Sequence, residues 1–276
     1  MVYGQPEHEN KDARGIGCVL MASGASRRFG GGKNKLLEVL GTKPLILHTA
    51  ESCRAAGLSP VIVTRSEEIR RLAEENGYDC VLHDDSEKSA TIRHGLGSLL
   101  QRSGSGSSAS LSGCLFVPGD QPLIRPESIR RMKRVFYTAA NKNKAPYGKA
   151  ENEAKAFEST GKQSLEESPA ACPDDQTGSA PIVRLSWKGV GKSPVLFPKS
   201  LFPALMSLKG DQGGSTILKQ TALQTEYEAE PKHAEQVVLV EAETECELWD
   251  ADTPEALERI YEAYIRQICK IFPRSM

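Results

Sequence analysis

The chain has 276 residues, which suits one large domain or two small ones with a substantial core. Its net charge of -1 and pI of about 6.6 exclude the global basic field that attracts nucleic acid. Seven cysteines without a C-x-x-C pair indicate a reducing compartment rather than a disulfide framework or a zinc site. The polar N-terminus lacks a signal-peptide core, and no apolar run approaches the ~20 residues that span a bilayer. We therefore expect a cytoplasmic protein with no membrane or nucleic-acid partner.

Strands and helices alternate in the first half of the chain. The predicted strands are Ile16–Met21, Pro60–Thr64 and Cys80–His83, and the predicted helices are Pro44–Ala56, Glu67–Glu75 and Ser89–Leu100. This alternation is typical of parallel βαβ units and predicts a doubly wound α/β sheet. A flexible connector at 103–112 leads to a buried strand that starts at 114 and stops at Pro118, and a helix follows over Ser128–Ala139.

Residues 140–179 are rich in lysine, glutamate, serine and alanine, with few large apolar side chains. Such a segment cannot bury enough apolar surface to offset its ordering entropy, which predicts a disordered insertion. The alternative is a boundary between two domains, but the remaining chain is too short for a separate core. Residues 1–14 are expected to be a flexible tail.

The last part of the chain completes the pattern. Its predicted elements are strands Pro181–Leu185, Pro194–Phe197 and Gln236–Val240, helices Leu201–Leu208 and Gly213–Gln220, and a final helix that starts at Pro254 with Thr253 as its cap.

A glycine-rich stretch, MASGASRRFGGGKNKLL at 21–37, follows the first strand. Backbone amides of Ala22, Ser23 and Gly24 could point at phosphate oxygens or a base edge, and Arg28 with a lysine could neutralise a polyphosphate. The alternative is a turn with solvated cations, and composition alone does not decide. A P-loop needs serine or threonine after its Gly-Lys pair, where this chain has Asn34, and the G-x-G-x-x-G fingerprint is absent. Both mismatches disfavour ATPases and dehydrogenases.

Two acidic turns could hold a metal ion. Asp120 lies in PGDQP at the end of a predicted strand, where a carboxylate can hold Mg²⁺ bound to substrate phosphates. The alternative is an ordinary aspartate in a turn between prolines. Asp250 and Asp252 lie in DADTP, where either could be a second metal carboxylate or could favour the helix macrodipole. Their spacing does not decide between them. A polar loop at 210–215, GDQGGS, could bind an anion or simply start a helix.

Together these segments resemble a known family. The run VLMASGASRRFG with NKLLEVLGTKPL is similar to the signature L-A-A/G-G-x-S-x-R-M-G-x-x-K-L-L of small nucleotidyltransferases. The N-K-L-L form resembles the molybdenum cofactor cytidylyltransferase branch. Further similar segments follow in the family's order over about residues 15–270, insertion excepted: SATIRHGL, VPGDQPLI, GKSPVLFPKSLFPAL, GDQGG and WDADTPEAL.

The resemblance implies one Rossmann-like α/β domain over 15–270, of the nucleotide-diphospho-sugar transferase type. It also implies Mg²⁺-assisted transfer of CMP from CTP to a molybdopterin-type cofactor with release of pyrophosphate, and transient contact with a molybdoenzyme or its chaperone. The implied catalytic residues are Arg28, Lys35 and Asp120. The implied nucleotide contacts are Leu20, Ala22, Ser23, Gly24, Ser26, Lys33, Ser89 and Arg93. Asp120 with Asp252 or Asp250 would hold the metal, and Lys192 and Asp211 would face the second substrate.

Three departures from the family leave alternatives open. Counting from Gly30 makes Lys33 the family's lysine, whereas alignment on Asn-Lys-Leu-Leu makes it Lys35, which we prefer because Leu36 and Leu37 should anchor the register. The segment 191–194 is one residue longer than the family's G-x-P, and the insertion has no counterpart. Open alternatives are GTP as donor, a sugar or alditol phosphate acceptor, a non-catalytic nucleotide or cofactor chaperone, and, least favoured, an oxidoreductase.

Overall fold

The computed structural model describes residues 15–24, 29, 34–104, 110–142, 180–227 and 237–271. The predicted tail at 1–14 and residues 143–179 of the predicted insertion lie outside these ranges. Within the described ranges, no helix is both long enough and apolar enough to cross a membrane.

Among the described residues, nine strands form two sheets. In chain order they are β1 (Ile16–Ala22), β2 (Val39–Leu40), β3 (Lys43–Pro44), β4 (Pro60–Thr64), β5 (Asp79–Leu82), β6 (Gly113–Pro118), β7 (Ile182–Trp187), β8 (Val190–Pro198) and β9 (Val237–Glu241). The main sheet has seven strands in the order β5-β4-β1-β6-β8-β7-β9, and β2 and β3 pair in a separate hairpin.

The main sheet is parallel except at β8, which runs antiparallel to both β6 and β7. The carboxyl ends of the other six strands therefore share one edge. From β1 the chain goes first to β4 on one side and reaches β6 on the other side only later, so the strand order reverses between β1 and β6. Ligands of open α/β sheets bind at such a point.

Seven α-helices in the described part of the chain flank the sheet. They are α1 (Leu45–Ala55), α2 (Glu67–Glu75), α3 (Lys88–Gly104), α4 (Pro126–Lys142), α5 (Phe202–Met206), α6 (Gly214–Tyr227) and α7 (Pro254–Ile271). Alternate residues of β1 serve opposite faces, as the period of a strand requires. Cys18 and Leu20 pack with α1, α2 and α4, whereas Val19 packs with α3, α5 and α6. This arrangement confirms the predicted doubly wound α/β fold.

A third apolar cluster supports the carboxyl edge of the sheet. It joins the hairpin of β2 and β3, the turn after β6, the start of α7 and the loop before it through Leu40, Leu123, Ala251 and Ile260. At Gly41, whose φ is 68°, an added Cβ would lie 2.7 Å from the Tyr264 hydroxyl of α7. The loop 250–252, named here the acidic loop, is thereby fixed against the turn after β6.

Several predicted bounds differ from the observed ones. Helix α3 continues past Leu100 to Gly104, and α4 starts at Pro126, since proline fits the first helical position, and ends at Lys142. Strand β8 starts at Val190 rather than Pro194, because it pairs with β7 across a tight turn. The predicted helix over 201–208 divides into a 3-10 turn, Lys199–Leu201, and the short α5.

Candidate functional site

The site lies where β1 and β6 end side by side. The Gly119 amide donates to the Met21 carbonyl at 2.9 Å, and a Cβ on Gly119 would come within 3.0 Å of the same oxygen. Glycine permits this close approach. The backbone carbonyl of Asp120, the next residue, accepts from the Ala251 amide at 3.0 Å, which ties the turn after β6 to the acidic loop.

Lys35 reaches this junction from the end of the glycine-rich stretch. Its Nζ contacts Asp120 Oδ2 and lies 2.6 Å from Asp252 Oδ1. Asn34 caps the short 3-10 turn Lys35–Leu37 by accepting the Leu36 amide at 3.1 Å, and the Leu36 side chain is only 3% exposed. The apolar anchor expected of Leu36 is confirmed, and it places the neighbouring ammonium group between two carboxylates.

The electrostatics of the junction keep Lys35 charged. Burial alone would lower the pKa of Lys35, but the carboxylates of Asp120 and Asp252 outweigh burial and raise it. The ammonium group therefore persists at neutral pH, and it offsets two negative charges at a site whose lysine and Asp120 side chains are 10% and 14% exposed.

Asp250 and Asp252 have different partners. Asp252 shares Lys35 with Asp120, whereas Asp250 accepts from the Gln121 amide nitrogen at 2.9 Å. Part of the Asp250 residue is open to solvent, but neighbouring groups crowd its carboxyl. This desolvation and the charge of Asp120 raise the pKa of Asp250 to about 6. Asp252 rather than Asp250 is therefore the carboxylate that lies beside Asp120 at the Lys35 ammonium group. Thr253 also caps α7, accepting from the Ala256 amide at 3.2 Å, as predicted.

Two side chains that support the junction, Gln121 and Glu247, were not predicted from the sequence. Gln121 is 2% exposed, and its amide oxygen has no hydrogen-bond partner among the described residues. Glu247 is fully buried and accepts from the Ser128 hydroxyl at 2.5 Å and from the amides of Glu243 and Thr244 at 2.8 and 3.1 Å. The capping-box spacing of Thr244 and Glu247 was the available signal.

The predicted loop residues lie partly within the described ranges. Ala22 ends β1, and Ser23 and Gly24 follow at the carboxyl edge, with Gly24 exposed. The Leu20 side chain is fully buried inside β1, so only its backbone could serve a ligand. Three further predicted contacts lie outside the described residues, namely Ser26, Arg28 and Lys33.

Ser89 and Arg93 lie together at the start of α3. The Arg93 guanidinium donates to the Ser89 hydroxyl at 3.0 Å and to the Leu208 carbonyl, and the Ser89 amide donates to the Gly210 carbonyl at 3.1 Å. These contacts join α3 to the loop that carries Asp211. Ser89 and Arg93, which are predicted to contact the nucleotide, therefore lie next to the loop of Asp211, which is predicted to face the second substrate.

Asp211 and Lys192 are both exposed. Lys192 lies in the first half of β8, which begins at the edge where the parallel strands end. The roles predicted for these two residues stay predictions, as do those of Ser89 and Arg93.

The junction has the donor set of a site for a divalent cation. Asp120 and Asp252 offer hard carboxylate oxygens that already face one positive charge, and one or two such carboxylates plus phosphate oxygens are what Mg²⁺ typically takes in proteins.

Comparison with known proteins identifies the domain. Residues 18–226 match the family described as the MobA-like NTP transferase domain. A 3-deoxy-manno-octulosonate cytidylyltransferase from Nitratiruptor is 31% identical over 124 residues, which are 42% of this chain and 45% of that protein. A protein named "Probable molybdenum cofactor guanylyltransferase" from Pyrococcus horikoshii is 35% identical over 120 residues, which are 43% of this chain and 55% of that protein. The chain spans about half the length of these two relatives.

Solved structures share the fold. A nucleotidyl transferase from Methanothermobacter has a TM-score of 0.61 and 18% identity, covering 91% of this chain and 98% of its own. A molybdopterin-guanine dinucleotide biosynthesis protein A from Archaeoglobus fulgidus has a TM-score of 0.51 and 15% identity, covering 91% of this chain and all of its own. Matched over most of its length by the family profile, this chain belongs to the MobA-like NTP transferase domain family, which confirms the predicted resemblance to nucleotidyltransferases.

Proposed function

We propose that this protein transfers CMP from CTP to the terminal phosphate of a molybdopterin-type cofactor and releases pyrophosphate. The observation that carries the proposal is the ammonium group of Lys35, shared by Asp120 and Asp252 at the junction of β1 and β6. Transfer from a nucleoside triphosphate needs negative charge to be neutralised near the phosphates, and this carboxylate pair is suited to hold a divalent cation that would do so.

The reaction needs no nucleophilic side chain. A phosphate oxygen of the acceptor forms a bond to the α-phosphorus of CTP, and the bond from that phosphorus to the bridging oxygen breaks, so pyrophosphate leaves with the electron pair. The protein's contribution is positioning and charge neutralisation. Amides of Ser23 and Gly24, with Arg28, would hold the triphosphate, and Lys35 would offset charge that develops at the α-phosphate.

Asp120 and Asp252 would hold Mg²⁺, which when bound supplies positive charge to the phosphate oxygens. The fully buried Glu247 and the hydrogen bond from the Ala251 amide would keep the acidic loop close enough to Asp120 for both carboxylates to hold one ion. Lys192 and Asp211 would face the acceptor.

Two relatives support different versions of the same reaction. The Nitratiruptor relative is a cytidylyltransferase with a sugar acid named as its acceptor, and the Pyrococcus relative is named a guanylyltransferase of molybdenum cofactor. We favour CTP with the molybdopterin acceptor because the N-K-L-L segment at 34–37 resembles the cytidylyltransferase branch. GTP as donor is the second candidate, and it rests on the Pyrococcus relative.

The test is pyrophosphate release by the full chain with Mg²⁺ and each of four nucleoside triphosphates, with and without molybdopterin cofactor. We expect release with CTP only when the cofactor is present. Release with GTP but not CTP would show that the donor is GTP. Release with a sugar phosphate but not with molybdopterin cofactor would show that the acceptor is a sugar phosphate. Binding of nucleotide, seen as a thermal shift, without release under any condition would leave a non-catalytic chaperone as the function.

A further inference from the structure

A second group of metal-ligating side chains lies at the same edge of the sheet, beyond β5. His83 follows β5, Asp85 lies in the next turn, and His94 lies on α3. One ligand atom from each comes within 4.8 Å of the other two. This group has no part in the junction of Lys35, Asp120 and Asp252.

His83 is held in a position that leaves one ring nitrogen available. It is only 9% exposed, and its backbone amide donates to the Thr64 carbonyl at 3.1 Å. Its Nε2 lies 2.8 Å from the Ser23 hydroxyl, and its buried Nδ1 has no hydrogen-bond partner among the described residues. An unpaired buried polar atom is costly and calls for a physical reason.

The hydrogen bonds of Ser23 fix the tautomer of His83. The Ser23 hydroxyl donates its one proton to the Val63 carbonyl at 3.2 Å, so its oxygen can only accept from His83. His83 therefore donates from Nε2. Burial and the neighbouring His94 lower the pKa of His83, so the ring is neutral at neutral pH and Nδ1 carries a lone pair.

The other two groups can move towards that lone pair. The rings of His83 and His94 stack with centroids 4.8 Å apart, and His94 Nε2 lies 2.7 Å from Asp85 Oδ2. The side chains of His94 and Asp85 are 40% and 47% exposed, so both can adjust. Ligand atoms of a tetrahedral site lie about 2.1 Å from the metal. Small movements of the His94 and Asp85 side chains could bring their ligand atoms to that distance.

We propose that His83 Nδ1, His94 and Asp85 form a binding site for a divalent transition-metal ion of the zinc and cobalt class, with one position open. Two imidazoles and a carboxylate suit such an ion better than Mg²⁺, which takes oxygen ligands. Ser23 fixes the ring of His83 in the manner of an outer-shell partner, which couples this site to the predicted nucleotide loop.

Metal ligands must be deprotonated, so metal binding competes with protons and the affinity rises with pH. The ion would fasten the turn after β5 and the start of α3 to the end of β1. This role goes beyond the proposed transferase function.

The test is Co²⁺ and Zn²⁺ binding by the full chain in the presence of excess Mg²⁺. Metal content after dialysis and the visible absorption of Co²⁺ are the two readouts. We expect one equivalent with the ligand-field spectrum of a tetrahedral or five-coordinate ion, and release of protons on binding. His94→Gln and Asp85→Asn should each weaken binding by more than about tenfold, and Ser23→Ala by about tenfold.

Asp84→Asn is the matched control, since Asp84 is an exposed neighbour outside the group. It should leave the affinity unchanged, and so should Asp120→Asn. Absence of a bound equivalent, or binding that persists in both His94→Gln and Asp85→Asn, would overturn the proposal. Loss of the bound ion in Asp120→Asn would assign it to the catalytic junction instead and would equally overturn it.

Discussion

At the scale of single residues, the junction of β1 and β6 depends on one ammonium group that two carboxylates share. Asp120 comes from the end of β6 and Asp252 from the acidic loop, and Lys35 holds them together although like charges repel. Their charges raise the pKa of Lys35 although burial alone would lower it. A ligand that brings phosphate and a divalent cation would redistribute these charges without needing a new side chain.

Removing the Lys35 ammonium group should affect both stability and turnover. We expect Lys35→Ala to lower pyrophosphate release on the order of 10²-fold, because the charge at the α-phosphate loses a partner. In metal-free buffer the variant should also unfold at a lower temperature than the wild type, and Mg²⁺ should raise its melting temperature more than that of the wild type. Lys43→Ala, which removes an exposed ion pair with Glu51, is the control. Turnover within about twofold of wild type would contradict the role of Lys35.

The sequence could predict part of the residue-scale site. Leu36 is apolar and Asn34 is a good cap, so the register that places Lys35 at the site follows from local rules. The choice between Asp250 and Asp252 does not, because both lie in a loop without periodicity and are distinguished only by contacts to Gln121 and Lys35. The free nitrogen of His83 likewise depends on Ser23, 60 residues away in the chain.

At the scale of elements, buried polar groups set the distances between loops. Glu247 joins the short turn before the acidic loop to the start of α4. At the end of β9, Glu241 accepts from the Ser186 hydroxyl at 2.7 Å and from the Lys188 amide, and so supports the turn between β7 and β8. Both carboxylates serve backbone amides that strands and helices leave unpaired.

Glu247→Gln keeps the shape of the side chain but removes its charge and one acceptor. We expect a loss of about 1–3 kcal/mol in unfolding free energy, because the buried Ser128 hydroxyl and the Thr244 amide lose a charged partner. Chemical denaturation measures this loss. Glu245→Gln, an exposed change in the same turn, should cost less than about 0.5 kcal/mol. Equal costs for the two variants would show that the buried network does not hold the loop.

Glu241 gives a dependence on pH with a defined sign. Hydrogen bonds from Ser186 and from the Lys188 and Gly189 amides lower the pKa of Glu241 below its ordinary 4.5. The folded state therefore binds this proton less tightly than the unfolded state, so the stabilisation is present above pH of about 4.5 and is lost as the pH falls through the lowered pKa. We expect Glu241→Gln to melt below the wild type at pH 7, with the gap closing towards pH 3. A gap that stays constant over this range would refute the assignment.

The elements themselves were predictable where local signals agree. Apolar β-branched runs gave β4, and the amphipathic stripe after Thr253 gave α7. The antiparallel insertion of β8 between β6 and β7 was not predictable, because an apolar run indicates a strand but not its neighbour. The hairpin of β2 and β3 is only two residues per strand, too short for any periodic signal.

At the scale of the whole molecule, one doubly wound sheet brings segments far apart in the chain to a single edge. Lys35 and Asp252 are separated by 217 positions and meet there. The family match over residues 18–226 ends before the acidic loop, so the structure adds the placement of Asp252 against Lys35.

The predicted insertion offers a test at this scale. Helix α4 ends at Lys142 and β7 starts at Ile182, and the residues from 143 to 179 lie outside the described ranges. We expect a chain in which a Gly-Ser linker replaces residues 144–178 to keep its melting temperature and its pyrophosphate release within about twofold, since loop length costs little free energy. Circular dichroism and the release assay measure both. A chain that fails to fold, or folds without turnover, would give the segment a role.

The central claim is that nucleotidyl transfer takes place at the junction of Asp120, Asp252 and Lys35. Its most direct test compares pyrophosphate release by the wild type and by Asp120→Ala, with CTP, Mg²⁺ and molybdopterin cofactor, after both proteins show matching thermal unfolding in the presence of Mg²⁺. The wild type should release pyrophosphate, and Asp120→Ala should lose nearly all of that activity. Turnover retained in Asp120→Ala would contradict the claim.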